Sequence, residues 1–456
     1  MWTPALDKDS GPLYLAIADA LAADIAAGRL LPGAKLPPQR ALAQQIGIDF
    51  TTVTRAYQEA GRRGLVDGRV GQGTFVRAPS AAEPSPSVGL IDMSMNLPPI
   101  PEDDGIAQQL WAGFAKLHGP DVTRLMLRYQ EPGGALRDRQ AGVRWLASRM
   151  PNVSVSRLLV APGAQGALTA ILASLAGKGE VVLTEPLSYP GLISLAAHLG
   201  IRLVPVEMDE SGPLPDALVQ AIAAFAPRAF YCMPTLHNPT TRSWSAARKE
   251  EILAVVRDHG LPIVEDDAYG GLLNTPKTTL AEMGGATVFH VASLSKTLSP
   301  ALRLAYVVAP SEAAAMRLAG ALRGTTAMAS PLTASLATDW VESGLAFEFL
   351  HALRAEVRSR QEIARSLLAA QAVTTDPEGF HSWISLPESW SRGEFIARLR
   401  TMGVSAVSSD AFAVGNAPEA VRLSLGGPIT RADLSRSLSV VSSLLSNTPA
   451  MSSLVV

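Results

Sequence analysis

The sequence predicts an α/β chain in two unequal parts. A small helical unit closed by a β-hairpin comes first, and a large unit follows, built on a mostly parallel sheet with helices on both faces. Three observations carry this. Residues 1–77 hold three helical runs and two short strands around a Gly-rich turn. The composition then changes at APSAAEPSPSV, a stiff, polar, coreless stretch that makes residues 78–90 a linker. From residue 91 to about 446, short β-rich runs alternate with helical ones, and 447–456 remain as a tail. At 456 residues the chain is too long for one ordinary core, so separate domains are expected.

The small unit reads element by element. Leu13, Ile17, Leu21 and Ile25 recur at helical spacing, and Gly28 closes that helix. Leu36-Pro37-Pro38 is a turn into a second helix, Gln39 to Ile46, with Leu42 and Ile46 inward and Gly47 ending it. Asp49 suits the N-cap of a third helix, Thr51 to about Arg63, with Val53 and Tyr57 turned to the core and Gly64 after it. Leu65–Asp67 and Gly73–Val76 form the hairpin. Helix, helix-turn-helix and hairpin make a winged helix-turn-helix.

Charge singles out the same unit. The whole chain carries a net charge of -2, but residues 29–77 hold eight Lys/Arg against three acids. That local excess is what a double-stranded DNA contact needs. The third helix would enter the major groove, with Thr51, Thr52 and Arg55 at its start and on one exposed face. Arg40 is placed for a phosphate. Arg69, with Gly71 and Gly73, would bring the wing backbone close to DNA. The alternative is a helical interaction module with solvated arginines.

Other classes are excluded by composition. Hydrophobic content of 47% and charged content of 18% describe a well-buried globular chain rather than a disordered one. One cysteine, Cys232 in the apolar run AFYCMP, rules out a disulfide framework or a cysteine-based zinc site within one chain, and no metal site is expected. Early acids at Asp7 and Asp9 do not fit a signal peptide. The most apolar region, Leu158 to Ala176, is broken by Pro162, Gly163, Gln165 and Gly166, so no membrane span is expected and a cytoplasmic location is.

The large unit carries its candidate chemistry just after strands, where open α/β sheets bind ligands. Pro162-Gly163-Ala164-Gln165 turns from strand into helix, and its backbone N–H groups suit a phosphate. Tyr189 follows the next strand and could stack on a ring. Asn238, in Asn238-Pro239-Thr240, could bond a ring oxygen. Asp266, in Glu265-Asp266-Asp267-Ala268-Tyr269, follows the apolar Pro262-Ile263-Val264. A buried carboxylate there can keep a pyridine nitrogen protonated, and Tyr269 could reach the ring hydroxyl from the same side. SLSKTLSPALR then sets Lys296 among Ser293, Ser295 and Thr297, with Arg303 beyond. This is the setting of a lysine that holds an aldehyde cofactor as an imine, beside groups that bind a phosphate. A surface Ser/Lys loop is the plainer reading of that stretch alone. Arg422, in a short strand, suits a bidentate carboxylate clamp.

Two resemblances join these motifs. LPPQRALAQQIGIDFTTVTRAYQEAGRRGLVDGRVGQGTFV resembles the winged-helix head of GntR-type transcription regulators, over most of residues 10–77. It implies Arg40, Thr51, Thr52, Arg55 and the wing glycines as DNA-contacting positions, with Pro38 standing where the family has a small residue. The order of motifs across 91–445 resembles fold-type I pyridoxal-phosphate proteins of the aspartate aminotransferase superfamily. This implies pyridoxal 5′-phosphate on Lys296, Asp266 on its ring nitrogen, and Asn238 and Tyr269 on its ring hydroxyl. Tyr189 would stack on the ring. Ser293, Ser295 and Arg303 would join the Gly163-Ala164-Gln165 backbone at the phosphate. Arg422 would take an amino acid's carboxylate, and Tyr129 would reach a neighbouring subunit's phosphate in a homodimer. Thr241, Ala301 and Ala305 stand where glycines are common.

Head and body together resemble the MocR subfamily of GntR regulators. That implies a transcription factor whose Lys296 is the catalytic centre of a sensor for the cofactor or for an amino acid or amine effector. A working aminotransferase with an appended DNA-binding head is the alternative. A DNA-binding module on an inert scaffold is a third reading.

Overall fold

The computed structural model describes residues 2–4, 13–26, 29–30, 33–62, 65–69, 73–76, 90–101, 104–115, 123, 127–284, 287–427 and 430–447. The chain divides into two compact units, Met1–Gly89 and Leu90–Val456. Gly28, Arg63, Gly64, Gly71, linker residues 78–89 and tail residues 448–456 lie outside the described residues.

The small unit holds α1 (Leu13–Ala26), α2 (Gln39–Ile46), α3 (Phe50–Arg62), β1 (Val66–Arg69) and β2 (Gly73–Val76). Ile17, Leu21, Leu42, Val53, Ala56, Tyr57 and Ala60 pack into one core, because helical spacing puts them on facing stripes. Tyr57 buries its ring and donates its hydroxyl to the Pro37 carbonyl at 2.8 Å, so the polar tip is satisfied. Gly47 ends α2 at φ 67°. Asp49 then accepts the Thr51 backbone N–H at 2.8 Å, as an N-cap does. The first wing strand starts at Val66 and runs past the expected Asp67, since Gly68 and Arg69 pair with Thr74 and Gly73.

The large unit is organised by a seven-stranded sheet. After a short β3 (Ile91–Asp92) come β4 (Leu158–Ala161), β5 (Val181–Thr184), β6 (Arg202–Pro205), a small hairpin of β7 (Met208–Asp209) and β8 (Gly212–Pro213), β9 (Ala229–Cys232), β10 (Ile263–Asp266), β11 (Val288–Ser293) and β12 (Ala305–Val308). The sheet order is β4-β12-β11-β10-β9-β5-β6. β12 runs antiparallel to both neighbours, and the other pairings are parallel. The sheet is therefore mixed but mostly parallel. β4, β5, β9, β10 and β12 are buried at every position, which is why they read as mainly apolar runs without alternation, with β10 closing on the buried acids Glu265 and Asp266. Cys232 is fully buried in β9, as its apolar setting suggested.

A second core lies around β13 (Val373–Thr375), β14 (His381–Ser385), β15 (Val404–Ser405), β16 (Val407–Ser408) and β17 (Ala420–Ser424). The antiparallel order β13-β14-β17-β16 places Trp383 opposite Arg422. β15 pairs instead with β3, so the first described residues after the linker are stitched into this region. Gly426, just beyond β17, lies against the same entering segment. A Cβ there would stand 1.9 Å from the Leu97 carbonyl oxygen. Backbone cannot give way as a side-chain tip can. A Gly426→Ala protein is expected to lose about 1–3 kcal/mol through overpacking, read as a lower thermal unfolding midpoint of the cofactor-free protein.

Candidate functional site

The candidate residues of the body gather at one end of the sheet. Gly163 follows β4, Tyr189 follows β5, Asn238 follows β9, Asp266 ends β10 and Lys296 follows β11. These are the carboxyl ends of parallel strands, where backbone and side chains open toward a crevice. β12 runs the opposite way, so its start brings Arg303 to the same end.

Asp266 is 2% exposed, and its Oδ2 accepts the Tyr231 hydroxyl at 2.7 Å. Its Oδ1 is buried with no protein partner. Burial pushes its pKa up to about 6, against the Tyr231 hydrogen bond and the nearby His290 and Lys296 charges. The flanking acids do other work. Glu265 accepts the Leu280 and Ala281 N–H groups and bonds His290 Nδ1 at 2.9 Å. Although burial opposes it, His290 and these donors hold Glu265 at about 2. Asp267 pairs with buried Arg149. Asp266 and Asp267 each keep one buried oxygen without a partner, but Asp267 is paired with the Arg149 guanidinium, whereas the Asp266 carboxyl faces the Lys296 charge.

Lys296 donates its ammonium to the Asn96 carbonyl. Burial and then the Arg422 charge lower its pKa to about 8, while Asp266 opposes. Tyr269, 2% exposed, accepts from Asn96 Nδ2 at 2.8 Å, and burial raises its phenol to about 12. Arg422, 5% exposed, donates to Asn238 Oδ1 at 3.0 Å and to the Ser94 carbonyl. Its guanidinium lies 5.1 Å from the centre of the Phe412 ring, a cation–π contact. Tyr189 is half-buried, and burial with the nearby Asp266 charge raises its pKa.

The residues expected at the phosphate stand as follows. Gly163 sits at φ 78° and opens the helix Gly163–Leu175, with Ala164 and Gln165 in its first turn. A Cβ on Gly163 would come within 3.3 Å of the Arg303 guanidinium, so the glycine keeps that approach open. Ser293 Oγ accepts the Ser295 N–H at 3.2 Å, and both serines are buried. Gln165 donates to the Gly191 carbonyl at 2.9 Å and keeps a buried, unpartnered Oε1. The residues present fit pyridoxal 5′-phosphate. A lone carboxylate oxygen, a lysine of lowered pKa and a glycine-opened helix start with an arginine beside it match its ring nitrogen, aldehyde and phosphate.

Thr241, noted as a departure from glycine, takes φ 61°. The backbone conformation that favours glycine is thus kept with a threonine in it. Tyr129 is 87% exposed. Sequence reasoning missed Asn96, Ser94 and Tyr231. Tyr231 was hidden in the apolar run of β9. Asn96 and Ser94 sit in MSMNLPPI, where no spacing marks a site, and they meet their partners across 200 and 328 residues.

In the small unit Arg40 is exposed, with its guanidinium 5.5 Å from the centre of the Phe50 ring. Arg55 is exposed but stacks 4.4 Å over Tyr14 of α1. Thr51 is exposed and bonds Asp49, and Thr52 is half-buried. Arg69 pairs with Gly73, which takes φ 115°.

Comparison with known proteins agrees with both halves. Residues 13–76 match the model for bacterial regulatory proteins of the gntR family, and residues 107–440 match that for aminotransferase class I and II. The chain is 32% identical over 451 residues to the uncharacterized HTH-type transcriptional regulator YdeF of Bacillus subtilis, covering 97% of this chain and 96% of that one. It is 24% identical over 423 residues to the probable rhizopine catabolism regulatory protein MocR of Rhizobium meliloti, covering 86% and 83%. The body superposes on LysN, the α-aminoadipate aminotransferase of Thermus thermophilus, with a TM-score of 0.71 at 25% identity, over 80% of this chain and 94% of that one. With a gntR-family head on a body of the aminotransferase class I and II family, the chain belongs to the MocR subfamily of GntR-type transcription regulators.

Proposed function

We propose that this regulator captures pyridoxal 5′-phosphate on Lys296, receives an amino acid or amine effector beside it, and changes its affinity for promoter DNA in response. The observation that carries the reading is the buried Asp266 Oδ1, left without a partner on a carboxyl that also faces the Lys296 charge. When bound, the cofactor supplies an aldehyde carbon to which the lysine nitrogen bonds with loss of water, and a ring that withdraws electrons.

The remaining steps belong to the chain. Lys296, lowered to about 8, reaches the neutral amine form more readily than an exposed lysine. Asp266 holds a proton on the ring nitrogen, while Asn238 and Tyr269 bond the ring oxygen. Tyr189 stacks on the ring. Ser293, Ser295, Arg303 and the Gly163, Ala164 and Gln165 amides hold the phosphate. Arg422 takes the effector's carboxylate, exchanging a neutral carbonyl acceptor for a charged one. Exposed Trp111, Phe114, Leu127 and Tyr129 offer surface to a second copy, in keeping with a homodimer in which Tyr129 serves the neighbour's phosphate. A regulator of this kind works in the cytoplasm, and among the described residues no helix is long and apolar enough to cross a membrane.

The test is a DNA titration on the gene's own upstream region, with and without pyridoxal 5′-phosphate, at several salt concentrations. Arg40→Ala is expected to weaken binding and to reduce the salt slope by about 1, as for one lost phosphate contact. Arg55→Ala is expected to cost about 1–3 kcal/mol and to relax base preference. Salt-independent binding, or equal affinity with and without the cofactor and effector, contradicts the proposal. The completeness of the site also favours a second reading as an active aminotransferase. Steady keto-acid production from an amino acid and a second keto acid would establish that reading.

A further inference from the structure

We propose that Asn96 carries the occupancy of the site to the linker-bearing end of the body, an inference that rests on the cofactor reading above. The large unit begins at residue 90, directly after the small unit ends, so residues 90–97 are the first stretch of body that the linker meets. This stretch is held at both ends. Ile91 and Met93 donate to the Gly403 and Ser405 carbonyls at 2.8 and 3.2 Å, and Ser424 and Gly427 donate back to the Met93 and Leu97 carbonyls at 2.8 and 3.1 Å.

Between those anchors it touches three functional side chains from three different elements. The Asn96 carbonyl takes the Lys296 ammonium, Asn96 Nδ2 donates to the Tyr269 hydroxyl at 2.8 Å, and the Ser94 carbonyl takes the Arg422 guanidinium. Asn96 is 6% exposed, and its Oδ1 is buried with no protein partner. So the two cations assigned to the cofactor and to the effector carboxylate both donate to carbonyls of one short strap.

The consequence follows from hydrogen-bond chemistry. A lysine whose nitrogen is bonded to an aldehyde carbon no longer donates to Asn96 as a free ammonium. A carboxylate is a stronger acceptor for a guanidinium than a peptide carbonyl, so an effector displaces Ser94 from Arg422. Each event removes a charge-assisted bond from the strap. The asparagine side chain then remains as the link between strap and site, through Tyr269. Ligands at the site thereby distinguish two arrangements of residues 90–97, as a population shift requires.

The experiment is amide hydrogen exchange on the full-length protein, with pyridoxal 5′-phosphate as the probe and lysine capture followed by absorbance. Exchange in residues 90–97 is expected to quicken about tenfold on capture, the scale of one lost charge-assisted hydrogen bond. Capture with unchanged or slower exchange there overturns the inference and leaves the cofactor reading standing. Absence of capture overturns both. In Asn96→Ala, the ratio of DNA affinities with and without pyridoxal 5′-phosphate is expected to fall by about fivefold or more, toward one. A variant that captures the cofactor and keeps the full ratio overturns the inference. The exchange measurement on the unmodified chain decides the matter if that variant fails to fold.

Discussion

A Lys296→Ala protein is expected to show no lysine-capture absorbance with pyridoxal 5′-phosphate and to bind it at least about a hundredfold more weakly, a loss of about 2.7 kcal/mol or more. Its DNA affinity is expected not to respond to the cofactor. Lys296→Arg separates chemistry from charge. It keeps a cation able to donate to the Asn96 carbonyl, yet has no amine that can bond the aldehyde carbon. If both variants lose the response, capture itself is the signal. If Lys296→Arg retains it, the charge near Asn96 is what matters and the capture reading fails.

The pH dependence has a definite sign. Neutral amine is the reactive form, and the folded-state value is about 8, because burial and then Arg422 oppose the ammonium. The capture rate is therefore expected to rise about tenfold per pH unit below that value and to level off above it. A plateau beginning near the ordinary lysine value would mean that burial does not act on Lys296 as the structure implies.

Much of this site was legible before any coordinates, for a physical reason. In a parallel sheet covered on both faces, strands read as unbroken apolar runs, so polar residues that end them stand out. Asp266 after Ile263-Val264 and Lys296 after β11 are visible in that way. α2 was legible to its ends because Pro38 and Gly47 bracket it. What could not be read depends on strand order and direction. The run Ala305–Val308 has no feature that marks it as antiparallel, and its direction decides that Arg303 stands at the ligand end. Tyr231 looks like one more apolar residue until β9 is known to lie beside β10. Asn96 is harder still. Its carbonyl is the part that meets Lys296, and a backbone atom leaves no trace in residue identity.

Asp266→Asn is expected to divide stability from cofactor binding. The folded-state value of Asp266 is about 6 against an ordinary 3.8, so between about pH 4 and 6 the folded chain holds a proton that the unfolded chain has lost. Stability therefore falls as pH rises through that window, and above it the cofactor-free protein remains less stable by up to about 3 kcal/mol. The groups facing Asp266 are Tyr231, His290, Lys296 and Glu185, and together they do not offset its burial. Asparagine removes the charge while its oxygen still accepts from Tyr231, at a cost of about 1–3 kcal/mol for a buried amide without a partner. The stability difference between variant and parent is thus expected to shift in the variant's favour by roughly 2–3 kcal/mol from pH 4 to pH 8, read from urea midpoints of the cofactor-free proteins. With pyridoxal 5′-phosphate the order reverses. On the proposed reading the parent's buried carboxylate would hold a proton on the ring nitrogen, which the variant's neutral amide could not do. Its cofactor affinity is expected to drop about a hundredfold. A difference that does not vary with pH would mean that Asp266 is already stabilised as an anion without the cofactor, and its free oxygen would no longer argue for a cationic ring.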